Sequence, residues 1–130
     1  NINKLPIKIK KSLKKTINMT KNNNKIIVNL AINYGSRSEI INSIKKIKII
    51  KKINEKNFSK LLYTKNLPEP DILIRTGGKK RISNFLLWQI AYTEIYFLNK
   101  LWPDFNEKDL KKIILDFKKI KRNFGAINDK

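Results

Sequence analysis

The stretch DILIRTGGKKRISN, residues 71–84, decides the fold, because a short apolar strand in it runs directly into a glycine pair. This strand is predicted at residues 71–74, after a rigid Pro-Glu-Pro stop. Residues 26–32 are apolar on both faces, which predicts a central strand, and residues 95–98 predict a third. Helical patterns lie between the strands. The alternation predicts an α/β fold with a parallel sheet and right-handed crossovers.

Five helices are predicted from the helical spacing of apolar residues and from capping residues. They cover residues 6–19, a segment that begins at Ser36 or Ser38, residues 55–63, residues 84–92, and a segment capped by Asn106 and Asp109 that ends near Gly125. The segment 84–92, with Ser83 as its N-cap, is apolar nearly all round, which predicts a buried helix. All of these elements fit in one domain of 130 residues.

Three of these helices have an apolar face that matters for packing, and the helix at residues 55–63 is expected to turn Phe58, Leu61 and Leu62 inward. After Ser36 or Ser38 the apolar stripe is Ile40, Ile44 and Ile47, and in the last helix it is Leu110, Ile113, Ile114, Phe117 and Ile120. Both stripes repeat at the three-to-four-residue spacing of a helix that buries one side. We therefore expect the stripe of the last helix to face inward.

The composition excludes several kinds of site. The chain contains neither Cys nor His, which rules out disulfides, thiolate catalysis, imidazole-based zinc sites and Ser-His pairs. No apolar run reaches the roughly 18 residues of a membrane span, and no signal peptide is recognisable. We therefore expect a reducing, cytoplasmic location. Because the sequence begins at Asn1 without Met, we also expect a processed product or part of a longer protein.

The net charge of +20 is weak evidence for a nucleic-acid partner. The 30 basic residues are 26 Lys and 4 Arg, and Lys, Asn and Ile, all with A/T-rich codons, dominate the chain. We attribute the lysine excess to the base composition of the coding DNA. Arginine is more informative, because its planar fork can hold phosphate or carboxylate at two points. Two of the four arginines, Arg75 and Arg81, flank the glycine pair.

The loop around these glycines is a candidate diphosphate site. In an open parallel sheet, ligands lie beyond the carboxyl ends of the strands, where residues 75–83 are expected. Gly77 and Gly78 allow close backbone approach or positive φ, and Arg75 and Arg81 offer two guanidinium forks. Ser83 offers a hydroxyl at the predicted helix start. A tight turn with solvated charges is the alternative interpretation, and the loop by itself leaves both open.

Glu94 is a second candidate, because it follows a stretch predicted to be buried in a chain with ten acidic residues. A buried carboxylate must be paired, protonated or metal-bound. A salt bridge to one of the arginines is one interpretation. The other is a Mg²⁺ ion bridging carboxylate and phosphate oxygens, which a diphosphate substrate would favour.

Other conspicuous residues favour structural roles. Trp88 and Trp102 lie within apolar runs rather than among lysines, which favours core packing over stacking on bases. The lysines at 45–52 and 111–121 fall on the outer faces of predicted helices. Such faces are typically solvated, and contact with an anionic membrane surface is the alternative.

Three motifs extend the pattern. They are INYGSRSEI at residues 32–40, DILIRTGG continuing into RISNFLLWQIAYTE at 71–94, and LWPDF at 101–105. Together, over about residues 25–125, they resemble the C-terminal half of a cis-prenyltransferase of the undecaprenyl diphosphate synthase type. The Asp-Asp motifs of trans-prenyltransferases are absent from the chain.

The resemblance implies the C-terminal part of a parallel-sheet sandwich flanked by helices. It also implies condensation of isopentenyl diphosphate with an allylic diphosphate, which makes a cis-polyprenyl diphosphate, the lipid carrier of cell-wall synthesis. By resemblance, Arg75, Arg81, Ile82 and Ser83 bind the isopentenyl diphosphate, and Glu94 binds Mg²⁺. A homodimer, peripheral contact with the inner face of the membrane and no nucleic-acid partner are implied as well.

The chain also departs from the family. It lacks the DGNGRW motif, whose Asp is essential, so we expect the isolated chain to be inactive and assign it no catalytic residue. Ser36 replaces a usual Gly, Lys79 replaces a common Glu, and Lys80 stands where some members carry a metal-touching His. Two alternatives remain open: a non-catalytic subunit of such an enzyme, and a small basic nucleic-acid-binding protein.

Overall fold

The computed structural model describes residues 4–47 and 53–124, and the chain divides into two compact units, Asn1–Gly35 and Ser36–Lys130. The first unit contains helix α1, Ile7–Thr20, close to the predicted 6–19, with Pro6 at its N-cap and not inside its first turn. No residue of α1 is buried, and its apolar Ile7 and Ile17 are exposed. Gly125, the predicted end of the last helix, lies outside the described residues.

The second unit carries the sheet. Its elements are α2 (Ser36–Ile44), α3 (Glu55–Ser59), β1 (Ile72–Arg75), β2 (Glu94–Phe97), a short 3-10 helix (Trp102–Asp104) and α4 (Glu107–Phe117). Strands β1 and β2 run parallel in a register that pairs Ile72 with Glu94 and Arg75 with Phe97. The parallel pair with its surrounding helices confirms the predicted α/β class.

The strand predicted at residues 26–32 is wrong for the described part of the chain, where the sheet consists of β1 and β2. Residues 26–31 have neither helical nor strand structure, and their large apolar side chains are exposed, Ile27 at 77% and Val28 at 72%. An apolar run becomes a strand when a neighbour supplies ladder hydrogen bonds. The apolar side-chain pattern therefore predicted a strand that the backbone does not form at residues 26–31.

The buried helix predicted at residues 84–92 is also wrong. This segment is a series of turns, and Ser83, Asn84 and Leu86 have positive φ of 49°, 62° and 47°. A left-handed residue interrupts the helical hydrogen-bond pattern, so a run of apolar residues cannot continue as α-helix through it. Gln89 and Ile90 are buried, whereas Tyr92 is exposed.

The buried apolar core of the second unit is small. Its buried apolar residues among the described ranges are Phe58, Leu62, Ile90 and Ile113. The Trp88 ring lies 4.6 Å from that of Phe58, and Trp88 Nε1 donates to Ser59 Oγ at 3.0 Å, so its predicted packing role is confirmed. For Trp102 that prediction is wrong, because its side chain is 71% exposed.

The buried face of α2 is polar. Ser36, Glu39 and Ser43 are fully buried, whereas Ile44 of the predicted apolar stripe is exposed. Glu39 Oε1 accepts from the Tyr63 backbone N–H at 2.6 Å, and Oε2 accepts from Gln89 Nε2 at 3.2 Å. Hydrogen bonds satisfy these buried groups, as burial of polar atoms requires. They fasten α2 to the turns after α3 and to the segment before β2.

Helix α4 begins with the predicted capping pair. Asn106 Oδ1 accepts from the Lys108 and Asp109 backbone N–H groups, and Asp109 Oδ2 accepts from the Asn106 N–H. Of the predicted inward residues Ile113 is buried, whereas Leu110, Ile114 and Ile120 are exposed. No helix within the described ranges has the length and apolar character that crossing a bilayer requires.

Candidate functional site

The side chain of Arg75 gathers the predicted anion-binding residues at the carboxyl end of β1. Arg75 is the last residue of this strand and is half-buried. Its Nη1 donates to Ser83 Oγ at 2.8 Å and to the backbone carbonyl of Arg81. We call Arg75, Arg81 and Ser83 the Arg75 cluster. Ile82 lies between two of its members and is half-buried.

The backbone N–H groups of Gly77 and Gly78 are not free for an anion, although the sequence suggested a diphosphate site at this pair. Both glycines have positive φ, 87° at Gly77 and 71° at Gly78, as their type allows. Their N–H groups, however, donate to the carbonyls of Lys100 at 2.7 Å and Leu98 at 2.9 Å. The two backbone donors therefore continue the pairing beyond β2 and are not directed at a ligand. A Cβ on Gly77 would meet no atom within 4 Å, so conformation and not space calls for glycine there.

The segment after Arg81 is strained and is held by α2. A left-handed conformation costs an L-residue roughly 1–2 kcal/mol, and Ser83 and Asn84 both adopt it. The Ser36 N–H donates to the Asn84 carbonyl and the Arg37 N–H donates to Asn84 Oδ1, each at 2.8 Å. The Leu87 N–H donates to Ser36 Oγ at 2.9 Å. Ser83 is thus not the N-cap of a helix, and the helix terminus that approaches it is already capped.

The local charge of the Arg75 cluster is positive. Residues 75–83 contain two arginines and two lysines and no acidic residue. Arg81, Lys79 and Lys80 are exposed, so they can turn toward an anion at low cost. A guanidinium has five N–H donors, and Arg75 uses those of Nη1 on its own chain. The cluster therefore combines one fixed fork with mobile positive charges.

Glu94 lies at the other end of the sheet. It is the first residue of β2 and pairs with Ile72, whereas Arg75 pairs with Phe97, three residues further on. At about 3.3 Å per residue, this register separates the two backbones by roughly 10 Å along the strands. Glu94 is half-buried, so the expectation of full burial is wrong. The structure brings Arg75, Arg81 and Ser83 together within one chain and leaves Glu94 apart from them.

Glu94 makes no ion pair with any described residue, which leaves the salt-bridge interpretation without support. Its charge nevertheless acts on Tyr96, the next residue but one along β2. The pKa of Tyr96 is raised, first by burial and then by the negative charges of Asp116 and Glu94. Three or more acidic side chains do not converge on a metal-sized space in the described part of the chain. Glu94 is therefore a lone carboxylate beside a cavity.

That cavity, of about 280 Å³, is lined by residues 91–94 and 121–124. Arg122 closes one side, with Nη1 paired to Asp71 and Nη2 donating to the Tyr92 carbonyl at 3.0 Å. Its guanidinium carbon lies 4.4 Å from the Phe124 ring centroid, a cation–π contact. We call Asp71, Tyr92, Arg122 and Phe124 the Arg122 cluster. Sequence reasoning missed it, although the scarcity of arginine was a signal that applied equally to Arg122.

Comparisons with known proteins agree on one family. The family model Prenyltransf, described as undecaprenyl diphosphate synthase, matches residues 1–125. An isoprenyl transferase of Fusobacterium nucleatum is 48% identical over 131 residues, which cover 98% of this chain and 56% of that protein. A ditrans,polycis-undecaprenyl-diphosphate synthase, (2E,6E)-farnesyl-diphosphate specific, of Wigglesworthia glossinidia brevipalpis is 46% identical over 138 residues, with 100% and 53% covered. The chain spans about half the length of these curated relatives.

Two solved structures share the fold. A probable undecaprenyl diphosphate synthase from Campylobacter jejuni has a TM-score of 0.86 and 38% identity, with 97% of this chain and 60% of that one covered. Lavandulyl diphosphate synthase from Lavandula x intermedia, in complex with dimethylallyl diphosphate, has a TM-score of 0.89 and 34% identity, with 97% and 58% covered.

Proposed function

Because this chain belongs to the undecaprenyl diphosphate synthase family, we propose that it contributes the isopentenyl diphosphate half-site of a cis-prenyltransferase. The enzyme would condense isopentenyl diphosphate with an allylic diphosphate and release pyrophosphate. Its product would be a cis-polyprenyl diphosphate that serves as a lipid carrier in cell-wall synthesis. The observation that carries the proposal is the Arg75 cluster, an acid-free group of donors beyond the carboxyl end of a parallel strand.

Each member of the cluster has a role in this proposal. The Arg75 and Arg81 guanidinium groups hold the diphosphate of isopentenyl diphosphate, because a planar fork matches two phosphate oxygens. The Ser83 hydroxyl oxygen accepts from Arg75, so its own proton is available to a phosphate oxygen. Ile82 shapes the same stretch. Together these groups neutralise and orient the incoming substrate, which is the main contribution that a protein makes to such a condensation.

Glu94 fits Mg²⁺ as a contributing ligand and not as a complete site. Mg²⁺ is commonly held by one or two carboxylates together with substrate phosphate oxygens, and Glu94 offers one half-buried carboxylate without an ion-pair partner in the described residues. Bound there, the ion would stabilise charge on the diphosphate oxygens. Lys80 cannot serve as a further ligand, because an ammonium group has no acceptor atom.

The separation of Glu94 from the Arg75 cluster supports a homodimeric enzyme. The two groups lie at opposite ends of the strands, so the same substrate would meet both most directly if a second copy supplied one of them. The test uses an active chimera in which residues 1–130 replace the matched part of the Fusobacterium nucleatum isoprenyl transferase. Arg75→Ala and Glu94→Ala, each expected to inactivate this chimera, are mixed in one preparation. A shared site predicts recovery of about a quarter of the activity, through the mixed dimers with one intact site. No recovery on mixing would contradict it.

A chimera tests the proposed function as a whole. Residues 1–130 would replace the matched part of the Fusobacterium nucleatum isoprenyl transferase, to which they are 48% identical. We expect this chimera to elongate farnesyl diphosphate with isopentenyl diphosphate in the presence of Mg²⁺, and the isolated chain to show no turnover. A chimera that folds but makes no polyprenyl product would contradict the proposal. A cytoplasmic location and peripheral membrane contact remain predictions.

A further inference from the structure

We propose that Asn84 is a positioning residue that holds Ser83 and Arg75 in their binding geometry by capping α2 from outside the helix. The inference deepens the proposed function and rests on it for the identity of the ligand. Asn84 lies next to Ser83 in sequence, and its φ of 62° is in the left-handed region. Asn is one of the few residue types with a side chain that tolerate this conformation. Nothing in the motif by itself distinguishes Asn84 from a spacer.

Two contacts of Asn84 carry the argument. Its carbonyl accepts the Ser36 N–H and its Oδ1 accepts the Arg37 N–H, each at 2.8 Å. These are N–H groups at the start of α2 that have no partner within the helix. One residue thus supplies both backbone and side-chain capping to a helix that begins 48 positions earlier in the chain, and this fixes the position of its own peptide against α2.

Contacts on both sides of Asn84 hold the same segment at two further points. On the far side of Asn84, the Leu87 N–H donates to Ser36 Oγ, and Ser36 is fully buried. On the near side, Ser83 Oγ accepts from Arg75 Nη1 at 2.8 Å. The segment 83–87 is therefore fixed between α2 and the carboxyl end of β1. Such a strained conformation persists where surrounding contacts over-determine it.

The consequence for binding concerns Ser83 more than Asn84. Loss of the cap would let residues 83–84 relax toward negative φ, which would rotate the Ser83 hydroxyl away from Arg75. The Arg75 fork would lose one of its two fixed partners and become more mobile. Asn84 itself need not touch the substrate for this effect. Its role is to pre-organise two groups that do, and pre-organisation lowers the entropic cost of binding.

Three variants of the chain test the proposal. Asn84→Ala removes the side-chain cap and disfavours positive φ, whereas Asn84→Gly removes the cap but tolerates positive φ. Asn106→Ala is the matched control, because Asn106 also caps a helix with its Oδ1 but belongs to α4. By calorimetry we expect Asn84→Ala to weaken isopentenyl diphosphate binding roughly tenfold, Asn84→Gly about threefold, and Asn106→Ala not at all. Unchanged affinity in a folded Asn84→Ala variant would overturn the proposal.

A second measurement needs no ligand. The Arg75 Nη1 protons are hydrogen-bonded, so their NMR signals at low temperature should exchange slowly with water. We expect faster exchange in Asn84→Ala and unchanged exchange in Asn106→Ala. Equal protection in both variants would overturn the positioning role whatever the ligand. If the wild-type chain and Arg75→Ala both fail to bind isopentenyl diphosphate, the proposed function fails instead, and the exchange measurement still decides the role of Asn84.

Discussion

The two ends of the small parallel sheet use arginine in opposite ways. At the carboxyl end, Arg75 donates to neutral acceptors, the Ser83 hydroxyl and the Arg81 carbonyl, and its charge is left uncompensated by any acidic residue in residues 75–83. At the amino end, Arg122 pairs with the carboxylate of Asp71 and stacks against Phe124. Its side chain is 17% exposed. Arg122 is thus paired with an acidic side chain, whereas residues 75–83 offer none to Arg75.

The difference shows what the rarity of arginine signifies in a lysine-rich chain. Arginine differs from lysine in its planar guanidinium, which matters where geometry matters. At Arg122 that geometry serves the fold, and at Arg75 the proposed function assigns it to a ligand. The neutralising partner distinguishes the two cases. Arg122 meets a carboxylate of its own chain, and this ion pair stabilises structure. Arg75 meets hydroxyl and carbonyl oxygens, so its positive charge is not neutralised by these partners.

The largest effect on ligand binding should come from removal of the Arg75 guanidinium, which has no acidic partner in residues 75–83. We expect Arg75→Ala to weaken isopentenyl diphosphate binding by the chain at least thirtyfold, or roughly 2 kcal/mol, because a charge-assisted bidentate contact is lost. In the chimera the same change should raise the KM for isopentenyl diphosphate. Calorimetry and steady-state kinetics provide the two measurements. If Arg122→Ala weakened binding as much as Arg75→Ala, the comparison would fail.

The second prediction reverses the roles of the two arginines. Arg122→Ala should lower the free energy of unfolding by about 2 kcal/mol, since it removes an ion pair, a backbone hydrogen bond and ring contacts from a mostly buried side chain. The value is reduced from that of a fully buried pair because Asp71 is 68% exposed. Urea unfolding followed by circular dichroism measures it. Arg75→Ala is the control and should change stability less.

A third, smaller effect is expected away from both arginines. Asn106→Ala removes an N-cap that accepts from two backbone N–H groups, which typically costs about 1 kcal/mol of stability. The affinity for isopentenyl diphosphate should stay at the wild-type value. This variant therefore gives the baseline for a destabilised but binding-competent chain. A drop in affinity here would mean that stability and not position sets binding at the Arg75 end.

The smallest effect concerns acid. The hydrogen bond from Lys100, followed by the one from the Asn106 N–H, lowers the pKa of Asp109 below its ordinary 3.8. A carboxyl whose pKa is lower in the fold stabilises above its unfolded value and loses that contribution as the pH falls through its folded value. Stability should therefore decline below about pH 4. Asp109→Asn should flatten this decline in urea titrations between pH 5 and 2, and an unchanged slope would count against the assignment.

The ion pair between Lys100 and Asp109 also connects acid sensitivity to the carboxyl end of the sheet. The Lys100 carbonyl accepts the Gly77 N–H at 2.7 Å, while the Lys100 Nζ lies 2.8 Å from Asp109 Oδ1. Protonation of Asp109 would loosen the residue that anchors the glycine turn after Arg75.

Sequence reasoning succeeded where the signal is local. The capping pair Asn106–Asp109 lies within four residues and was predicted with its partners. Positive φ was one of two alternatives that the sequence left open for Gly77 and Gly78, and both residues adopt it. Arg75, Arg81 and Ser83 were placed together because they are close in the chain. These features depend on neighbours in sequence, and periodicity, capping and residue type describe such neighbours well.

Features that depend on distant partners were not predictable in the same way. The turns after Ser83 are set by hydrogen bonds between Asn84 and α2, which starts 48 residues before it. The local apolar composition of these turns suggested a helix instead. The polar buried face of α2 exists because Glu39 meets Tyr63 and Gln89 from two other segments. Arg122 is paired across 51 residues with Asp71. Each of these contacts is created by the fold and leaves no trace in the local pattern.

The exposed apolar run at residues 26–32 has a consequence for handling the protein. It combines β-branched side chains with no Pro and no acidic residue, a composition that favours pairing with similar segments of other chains. Lys25 is the charge that precedes it, and charged flanking residues of this kind discourage aggregation in many proteins. High ionic strength screens such a charge. Salt that weakened the proposed diphosphate binding at Arg75 would then also favour self-association through this run, so low-salt buffers suit both binding and solubility measurements.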